Sequence, residues 1–172
     1  ARFYGSQEQR ERWTLLVDSV RTGDAVVAAL RGKESFDYFA EKPELAELFN
    51  QTMTSISELT TATVVAGYDF SAYSTIVDVG GGHGPLLAAI LAAAPASRGV
   101  LYDLPLVVAN APKVLREQDV ADRVLIAEGS FFDSVPRDGD AYVLKNIIHD
   151  WPDEKAVQIL RNVHAAAGPR AT

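Results

Sequence analysis

A strand, a glycine turn and a helix follow one another directly between residues 75 and 94, and this succession constrains the fold most strongly. The β-branched run Thr75–Val79 is typical of a buried parallel strand. Three consecutive glycines and Gly84 come next, and an apolar segment with Pro85 in its first turn then predicts a helix. In α/β sheets this succession lets a ligand touch bare backbone beside the N-terminus of a helix. We therefore expect a ligand site in a parallel sheet.

The glycine spacing narrows the class of ligand. A dinucleotide-binding turn has the pattern Gly-x-Gly-x-x-Gly; Gly80 and Gly82 fit it, but Pro85 stands at the third position. The sequence instead has Gly80-x-Gly82-x-Gly84, preceded by an acid at Asp78. That order resembles the first motif of Rossmann-like methyltransferases that use S-adenosylmethionine (SAM), in which small residues let the backbone approach the methionine part of the cofactor. Alone, the motif is also compatible with an ordinary glycine turn.

The composition restricts the partners and the location of the chain. Its 172 residues carry a net charge of −7 and form no Lys/Arg cluster, which argues against nucleic acid as a partner. The sequence contains no cysteine and no histidine pair at ligand spacing, so we expect no disulfide and no metal site. No apolar run is long enough to span a membrane, and no signal pattern opens the chain, so the default expectation is a cytoplasmic protein without a membrane partner.

The spacing of apolar residues divides the chain into two parts. Residues 1–72 predict a helical lead-in, with one helix between Ser6 and Gly23 and a long helix that begins at Pro43. Residues 73–172 alternate strand and helix patterns and predict an α/β domain that binds the cofactor on a partial sheet of about four parallel strands. The strands are expected at 75–79, 98–103, 123–128 and 140–145.

An acid ends the second predicted strand. Asp103 lies about twenty residues after the glycine turn, the position from which an acid accepts hydrogen bonds from ribose hydroxyls in nucleoside-binding α/β folds. Because Pro105 can begin a helix, Asp103 alone is equally compatible with the N-cap of that helix. Its distance from the glycine turn favours the ribose.

The loops after the third and fourth strands carry further candidates. Phe131 and Phe132 can cover a flat base such as adenine, although such a pair more often packs beneath its own loop. His149 suits a general base, since histidine is the side chain whose ordinary pKa is closest to neutral pH; it equally suits a cap of the helix expected from Pro152. Neighbouring side chains usually point apart, so we do not expect Asp150 to orient the imidazole.

Four short segments of the chain, together with their order and spacing, indicate a family resemblance. They are 78–84, Asp103-Leu104-Pro105, 129–132 and Lys145-Asn-Ile-Ile-His-Asp-Trp151. With them the sequence resembles the small-molecule O-methyltransferases typified by caffeic acid and hydroxyindole O-methyltransferases, whose bacterial relatives modify polyketides and pigments. The resemblance implies a Rossmann-like class I methyltransferase sheet. It also implies that the protein transfers a methyl group from SAM to a hydroxyl of a small aromatic or polyketide-like molecule.

The resemblance assigns roles to single residues. The positions that it places around SAM are Gly80, Gly82, Asp103, Leu104, Ser130, Phe131 and Lys145. Among these, Asp103 would hold the ribose hydroxyls, and Leu104 and Phe131 would lie against the adenine. His149 matches the general base, and the positions that match the acceptor pocket are Phe49, Met53 and Asn146. Ser130 stands where the family usually has aspartate; because a hydroxyl binds the adenine amino group more weakly than a carboxylate, we expect a reduced affinity for SAM.

The resemblance implies that this chain covers the middle of such an enzyme, which in the family is a homodimer. The fourth strand would then lack a neighbour and expose a sheet edge. The alternative function is therefore a non-catalytic fragment that binds SAM or depends on a partner chain. A nicotinamide-dependent reductase is a third interpretation, disfavoured by Pro85 and by the lack of a Tyr-x-x-x-Lys pair.

Overall fold

A computed structural model describes residues 2–33 and 35–172. The chain forms two compact units, of which the first extends to Thr52 and the second covers Met53–Thr172. The first unit is helical. Its helices are α1 (Gln7–Thr14), α2 (Leu16–Thr22), α3 (Val26–Arg31), α4 (Ser35–Ala40) and the beginning of α5 (Pro43–Gly67).

The first predicted helix is interrupted. Ser6 caps α1 as expected, because its side chain accepts a hydrogen bond from the Gln9 N–H at 3.3 Å. Gly23 ends α2 in a left-handed conformation with φ 79°, also as expected. The prediction of one continuous helix was wrong at Leu15, whose N–H bonds the carbonyls of Arg12 and Trp13 and closes the first helix there. An aromatic core fills this unit and includes Phe3, Phe36, Tyr38, Phe39 and Phe49.

The second unit confirms the predicted α/β sheet. Its four strands are β1 (Thr75–Val79), β2 (Arg98–Asp103), β3 (Val124–Glu128) and β4 (Ala141–Val143). All neighbouring pairs are parallel, and the spatial order is β3-β2-β1-β4. The chain therefore adds β2 and β3 on one side of β1 and then places β4 on the other side of β1. The carboxyl ends of β1 and β4 flank the point where α/β sheets bind ligands.

Helices cover both faces of this sheet. They are α6 (Pro85–Ala93), α7 (Pro105–Val108), α8 (Ala111–Glu117) and α9 (Asp153–Ala166). Alternate residues of β1 point to opposite faces: Ile76 joins the core with α6 and α8, whereas Val77 and Val79 join the core with α9. Val64 and Val65, near the end of α5, pack against the first of these cores. This packing explains why the two units divide at Thr52, twenty residues before the domain boundary that the sequence suggested.

The edge at β4 differs from the expectation in two ways. β4 is shorter than predicted: it covers Ala141–Val143, whereas residues 140–145 were expected. Asp140 still ties the start of β4 to β1, because its N–H donates to the Thr75 carbonyl at 2.8 Å and its carboxylate accepts from the Ser74 and Thr75 N–H groups. The edge is also partly covered. The Thr172 backbone donates to the Asp140 carbonyl at 3.0 Å and accepts from the Tyr142 N–H at 2.8 Å. Within residues 2–33 and 35–172, no helix has the length and apolar character required to cross a membrane.

Candidate functional site

The glycine turn joins the carboxyl end of β1 to α6. Gly80, Gly82 and Gly84 all have positive φ, at 71°, 62° and 84°, a conformation that side chains strongly disfavour. A Cβ on Gly80 would meet the Cδ1 of Ile147, so that side chain would have to shift to admit another residue. A Cβ on Gly82 would meet nothing within 4 Å, so Gly82 faces open space. Bare backbone is therefore accessible at Gly82, and the contact of Gly80 and Gly82 with a ligand stays a prediction.

Asp103 reaches this turn from the carboxyl end of β2. Its Oδ2 accepts a hydrogen bond from the Gly82 N–H at 2.9 Å, and its Oδ1 accepts from the Leu104 N–H at 2.7 Å. The residue that caps α7 is Leu104, so the N-cap interpretation of Asp103 was wrong. Burial raises the pKa of Asp103, and the two backbone hydrogen bonds oppose that shift. The structure brings a carboxylate to the accessible glycine; its contact with a ribose stays a prediction.

Two buried polar groups beside the turn lack part of their hydrogen bonding. Asp78 is 2% exposed and His83 is 6% exposed. The His83 Nδ1 lies 3.3 Å from the Thr54 hydroxyl, but among the described residues the His83 Nε2 and the Asp78 Oδ2 have no partner. Burial, reinforced by the Asp103 carboxylate, raises the pKa of Asp78 to about 7. Sequence reasoning did not assign His83 to the site, although its place inside the glycine turn was the available signal.

Lys145 follows β4 and points to α5. Its Nζ donates hydrogen bonds to the Ser57 carbonyl at 3.0 Å and to the Ser57 hydroxyl at 2.7 Å. Burial lowers the pKa of Lys145, and the charge of Asp78 opposes the shift. Sequence reasoning missed Ser57, because no motif distinguishes one serine within a long helix. Ser57 thus holds the ammonium group, and the charge of Asp78 favours its protonated form.

Three aromatic side chains, Phe131, Phe132 and Trp151, pack together after β3 and border the glycine turn. Phe131 lies beside the glycine turn, since its Cε1 would be 3.6 Å from a Cβ placed on Gly80. The rings of Phe131 and Phe132 are 4.9 Å apart, and Trp151 meets Phe132 edge-on at 4.7 Å. The Ser130 hydroxyl accepts a hydrogen bond from the Phe132 N–H at 3.2 Å and so shapes this loop. Both interpretations of the phenylalanine pair fit this geometry, and the adenine contact stays a prediction.

His149 lies in a short 3-10 turn, Ile148–Asp150, with its side chain 65% exposed. The residue that caps α9 is Pro152, with no side-chain hydrogen bond, so His149 does not cap that helix. The expectation about Asp150 was wrong. Its Oδ1 lies 3.2 Å from the His149 Nε2, so the two neighbouring side chains meet in this turn. Burial raises the pKa of Asp150, and His149 opposes the shift.

The three predicted acceptor-pocket residues occupy different settings. Asn146 is exposed and left-handed, with φ 59°, a conformation that asparagine tolerates better than most side chains. Met53 is half-buried on α5, and Phe49 belongs to the aromatic core of the first unit, where its ring lies 4.8 Å from that of Phe39. Their roles stay predictions. Among the described residues, no group of three His, Asp or Glu side chains is arranged to hold a metal ion.

Comparison with known proteins identifies relatives of this chain. A family model described as an O-methyltransferase domain matches residues 13–171. A phenazine O-methyltransferase of Lysobacter antibioticus is 40% identical over 160 residues, which cover 93% of this chain and 47% of that protein. A mitomycin biosynthesis 6-O-methyltransferase of Streptomyces lavendulae is 40% identical over 169 residues, covering 98% of this chain and 48% of that protein.

The fold of the chain matches solved structures as well. An O-methyltransferase from neocarzinostatin biosynthesis, solved with SAM and 2-hydroxy-5-methyl naphthoic acid, superposes with a TM-score of 0.85 at 30% identity. That match covers 98% of this chain and 56% of the solved chain. The chain thus spans about half the length of the curated relatives that it matches.

Proposed function

The chain belongs to the O-methyltransferase domain family, and we propose that the protein transfers a methyl group from SAM to a hydroxyl of a small aromatic or polyketide-like molecule. The observation that carries this proposal is the meeting of four sequence segments at one edge of the sheet. The glycine turn, Asp103, the Phe131 loop and Lys145 follow β1, β2, β3 and β4 at their carboxyl ends. The similar proteins named for phenazine and mitomycin methylation support an aromatic acceptor.

The residues present fit SAM. Gly82 has open space where a side chain would be, so the methionine part of the cofactor can approach its backbone. The Asp103 carboxylate retains lone pairs for ribose hydroxyls beyond those used by the Gly82 and Leu104 N–H groups. Phe131 and the exposed Leu104 offer apolar surface to the adenine. When bound, SAM supplies an electrophilic methyl group on a sulfonium.

Methyl transfer requires the acceptor oxygen to be aligned with that methyl carbon and to lose its proton. The C–O bond forms as the C–S bond breaks, and the electron pair of the broken bond stays on sulfur. A phenol has a pKa of about 10, so a base at neutral pH increases its nucleophilicity. We assign this step to His149, whose imidazole takes the hydroxyl proton. Asp150, 3.2 Å from the His149 Nε2, stabilises the imidazolium that results.

A direct assay tests this proposal. The chain is incubated with SAM carrying a labelled methyl group and a panel of hydroxylated aromatic acceptors, and both labelled product and S-adenosylhomocysteine (SAH) are measured. We expect label in a methyl ether together with one equivalent of SAH. Label on an amine instead would refute hydroxyl specificity, and a folded chain that transfers no label to any acceptor would refute the catalytic proposal.

The alternative is a chain that binds SAM without catalysis. The observation that favours it is the 65% exposure of the His149 side chain, since a base that acts in a closed pocket is usually shielded from water. This alternative predicts SAH binding with no labelled product. The homodimer implied by the resemblance stays a prediction, which sedimentation equilibrium of the chain would test.

A further inference from the structure

Helix α9 presents one polar face to the loop that carries the two phenylalanines. Lys155, Gln158 and Asn162 are three and then four residues apart, so their side chains lie along the same stripe of the helix. The Lys155 ammonium lies 5.8 Å from the centre of the Phe132 ring and 5.3 Å from that of Trp151. The other two side chains reach the backbone of the loop.

The contacts to the backbone are hydrogen bonds of good length. The Asn162 Nδ2 donates to the carbonyls of Phe131 and Phe132, both at 2.8 Å. The Gln158 Nε2 donates to the Phe132 carbonyl, also at 2.8 Å. The loop lies beyond β3, so neighbouring strands do not hold these carbonyls; side chains 26 to 31 residues away do so instead. The two amides form what we call the amide clamp, defined as Gln158 and Asn162.

A second contact fixes the other end of the loop. The Tyr102 hydroxyl donates to the Ser134 carbonyl at 2.7 Å, and a Cβ on Gly129 would collide with the same tyrosine. Between these anchors, the Ser130 hydroxyl accepts from the Phe132 N–H and sets the local turn. The Phe131 ring beside Gly80 is therefore placed by ring packing and by hydrogen bonds to its loop. The amide clamp supplies the hydrogen bonds that α9 donates to the carbonyls of Phe131 and Phe132.

We propose that Gln158 and Asn162 are positioning residues for cofactor binding, because the amide clamp holds the Phe131 ring where it covers the adenine. This inference rests on the proposed function. The clamp touches no part of the cofactor and acts through the loop. Its loss should therefore weaken ligands that contain adenine and leave the ribose and amino-acid contacts at Asp103 and the glycine turn intact.

The test compares two ligands on the same variants. SAH contains the adenine, whereas S-ribosylhomocysteine keeps the ribose and the amino-acid part without it. Asn162→Leu and Gln158→Met remove the donors with little change in volume. We expect the double variant to raise the Kd for SAH roughly tenfold, from the loss of the ordering hydrogen bonds, and to change the Kd for S-ribosylhomocysteine less than about twofold.

Matched controls separate this role from general stability. Arg161→Ala alters an exposed side chain on the same helix and should leave both Kd values unchanged. Asn162→Gln keeps an amide donor and should recover part of the SAH affinity. In a Trp13→Phe background, Trp151 is the one tryptophan left, and its emission should shift to longer wavelength when the clamp is removed.

The outcomes distinguish the two proposals. A wild-type chain that does not bind SAH refutes the proposed cofactor, and the role of the clamp with it. A wild-type chain that binds SAH while the double variant binds it equally well overturns the clamp alone. Equal weakening of SAH and S-ribosylhomocysteine also overturns it, because a merely structural role would affect both ligands.

Discussion

The proposed cofactor side of the sheet edge, formed by the glycine turn and Asp103, differs in structure from the proposed acceptor side, formed by Asn146 and His149. On the cofactor side, the Gly82 N–H donates to the Asp103 carboxylate at 2.9 Å, and the Gly80 N–H donates to the Tyr102 carbonyl at 2.8 Å. On the acceptor side, His149 and Asn146 are exposed and lie in tight turns after β4. The comparison teaches that the glycine turn and Asp103 are tied together by hydrogen bonds between the ends of β1 and β2, whereas Asn146 and His149 project from exposed turns.

The largest expected effect is on the rate of methyl transfer and follows from replacing His149 on the proposed acceptor side. His149→Asn removes the proposed base and should lower the rate of methyl transfer roughly 100- to 10,000-fold, the range that general bases contribute. SAH affinity should stay unchanged, because the cofactor side does not use this residue. His164→Asn, at an exposed histidine in the last turn of α9, is the control and should retain full activity. Full activity of His149→Asn would contradict the assignment of the base.

The second prediction concerns the buried acid beneath the glycine turn. The pKa of Asp78 is about 7 in the folded chain, whereas its ordinary value is 3.8. Since the folded state binds more protons between these values, the stability contribution of Asp78 is fully present below about pH 4 and is lost as the pH rises through 7. Asp78→Asn should therefore gain stability over the wild type as the pH rises from 5 to 8, by an amount on the order of a few kcal/mol.

Urea unfolding of both chains at several pH values measures this difference. Taking the difference between the two chains removes the contribution of groups that titrate in both. A gap between wild type and variant that does not change between pH 5 and 8 would contradict the raised pKa of Asp78. The comparison of the two chains therefore shows whether the buried Asp78 side chain carries a proton in the folded state.

The smallest expected effect is a gain in SAH affinity from a substitution at Ser130. Ser130 stands where the resembling family usually has aspartate, and its hydroxyl already accepts from the Phe132 N–H. Ser130→Asp can keep this turn, since aspartate forms the same local hydrogen bond, and adds a charged acceptor for the adenine amino group. We expect SAH affinity to increase roughly threefold to tenfold, measured by calorimetry. An unchanged affinity for SAH would mean that the adenine lies elsewhere.

The sequence predicted β1, the glycine turn and α6 well because their signals are local. The β-branched run, the glycines and Pro85 specify β1, the turn and α6 within twenty residues, and the structure confirms each of them. The acid at the end of β2 was also found, since the position of a strand end follows from the strand pattern. Strands, turns and helices that are specified by residues close in sequence could therefore be predicted.

The errors arose where no pattern in the sequence marks the structure. Leu15 interrupts a helical pattern that continues on both sides of it. β4 ends at Val143, two residues before the predicted end, and the side chains of the neighbours His149 and Asp150 meet. The contacts of Ser57 and of the amide clamp join residues distant in sequence, so no periodicity or motif could reveal them. Tertiary contacts of this kind were beyond local reasoning.

The central claim is that the glycine turn and Asp103 bind SAM, and titration calorimetry of the chain with SAH tests it most directly. We predict saturable binding of SAH and no binding of NADH. Asp103→Asn should weaken SAH at least tenfold, since a charged acceptor of hydrogen bonds is lost, while Asp122→Asn, in an exposed turn, should not. A folded chain that binds NADH in place of SAH, or an Asp103→Asn variant that binds SAH as well as the wild type, would contradict the claim.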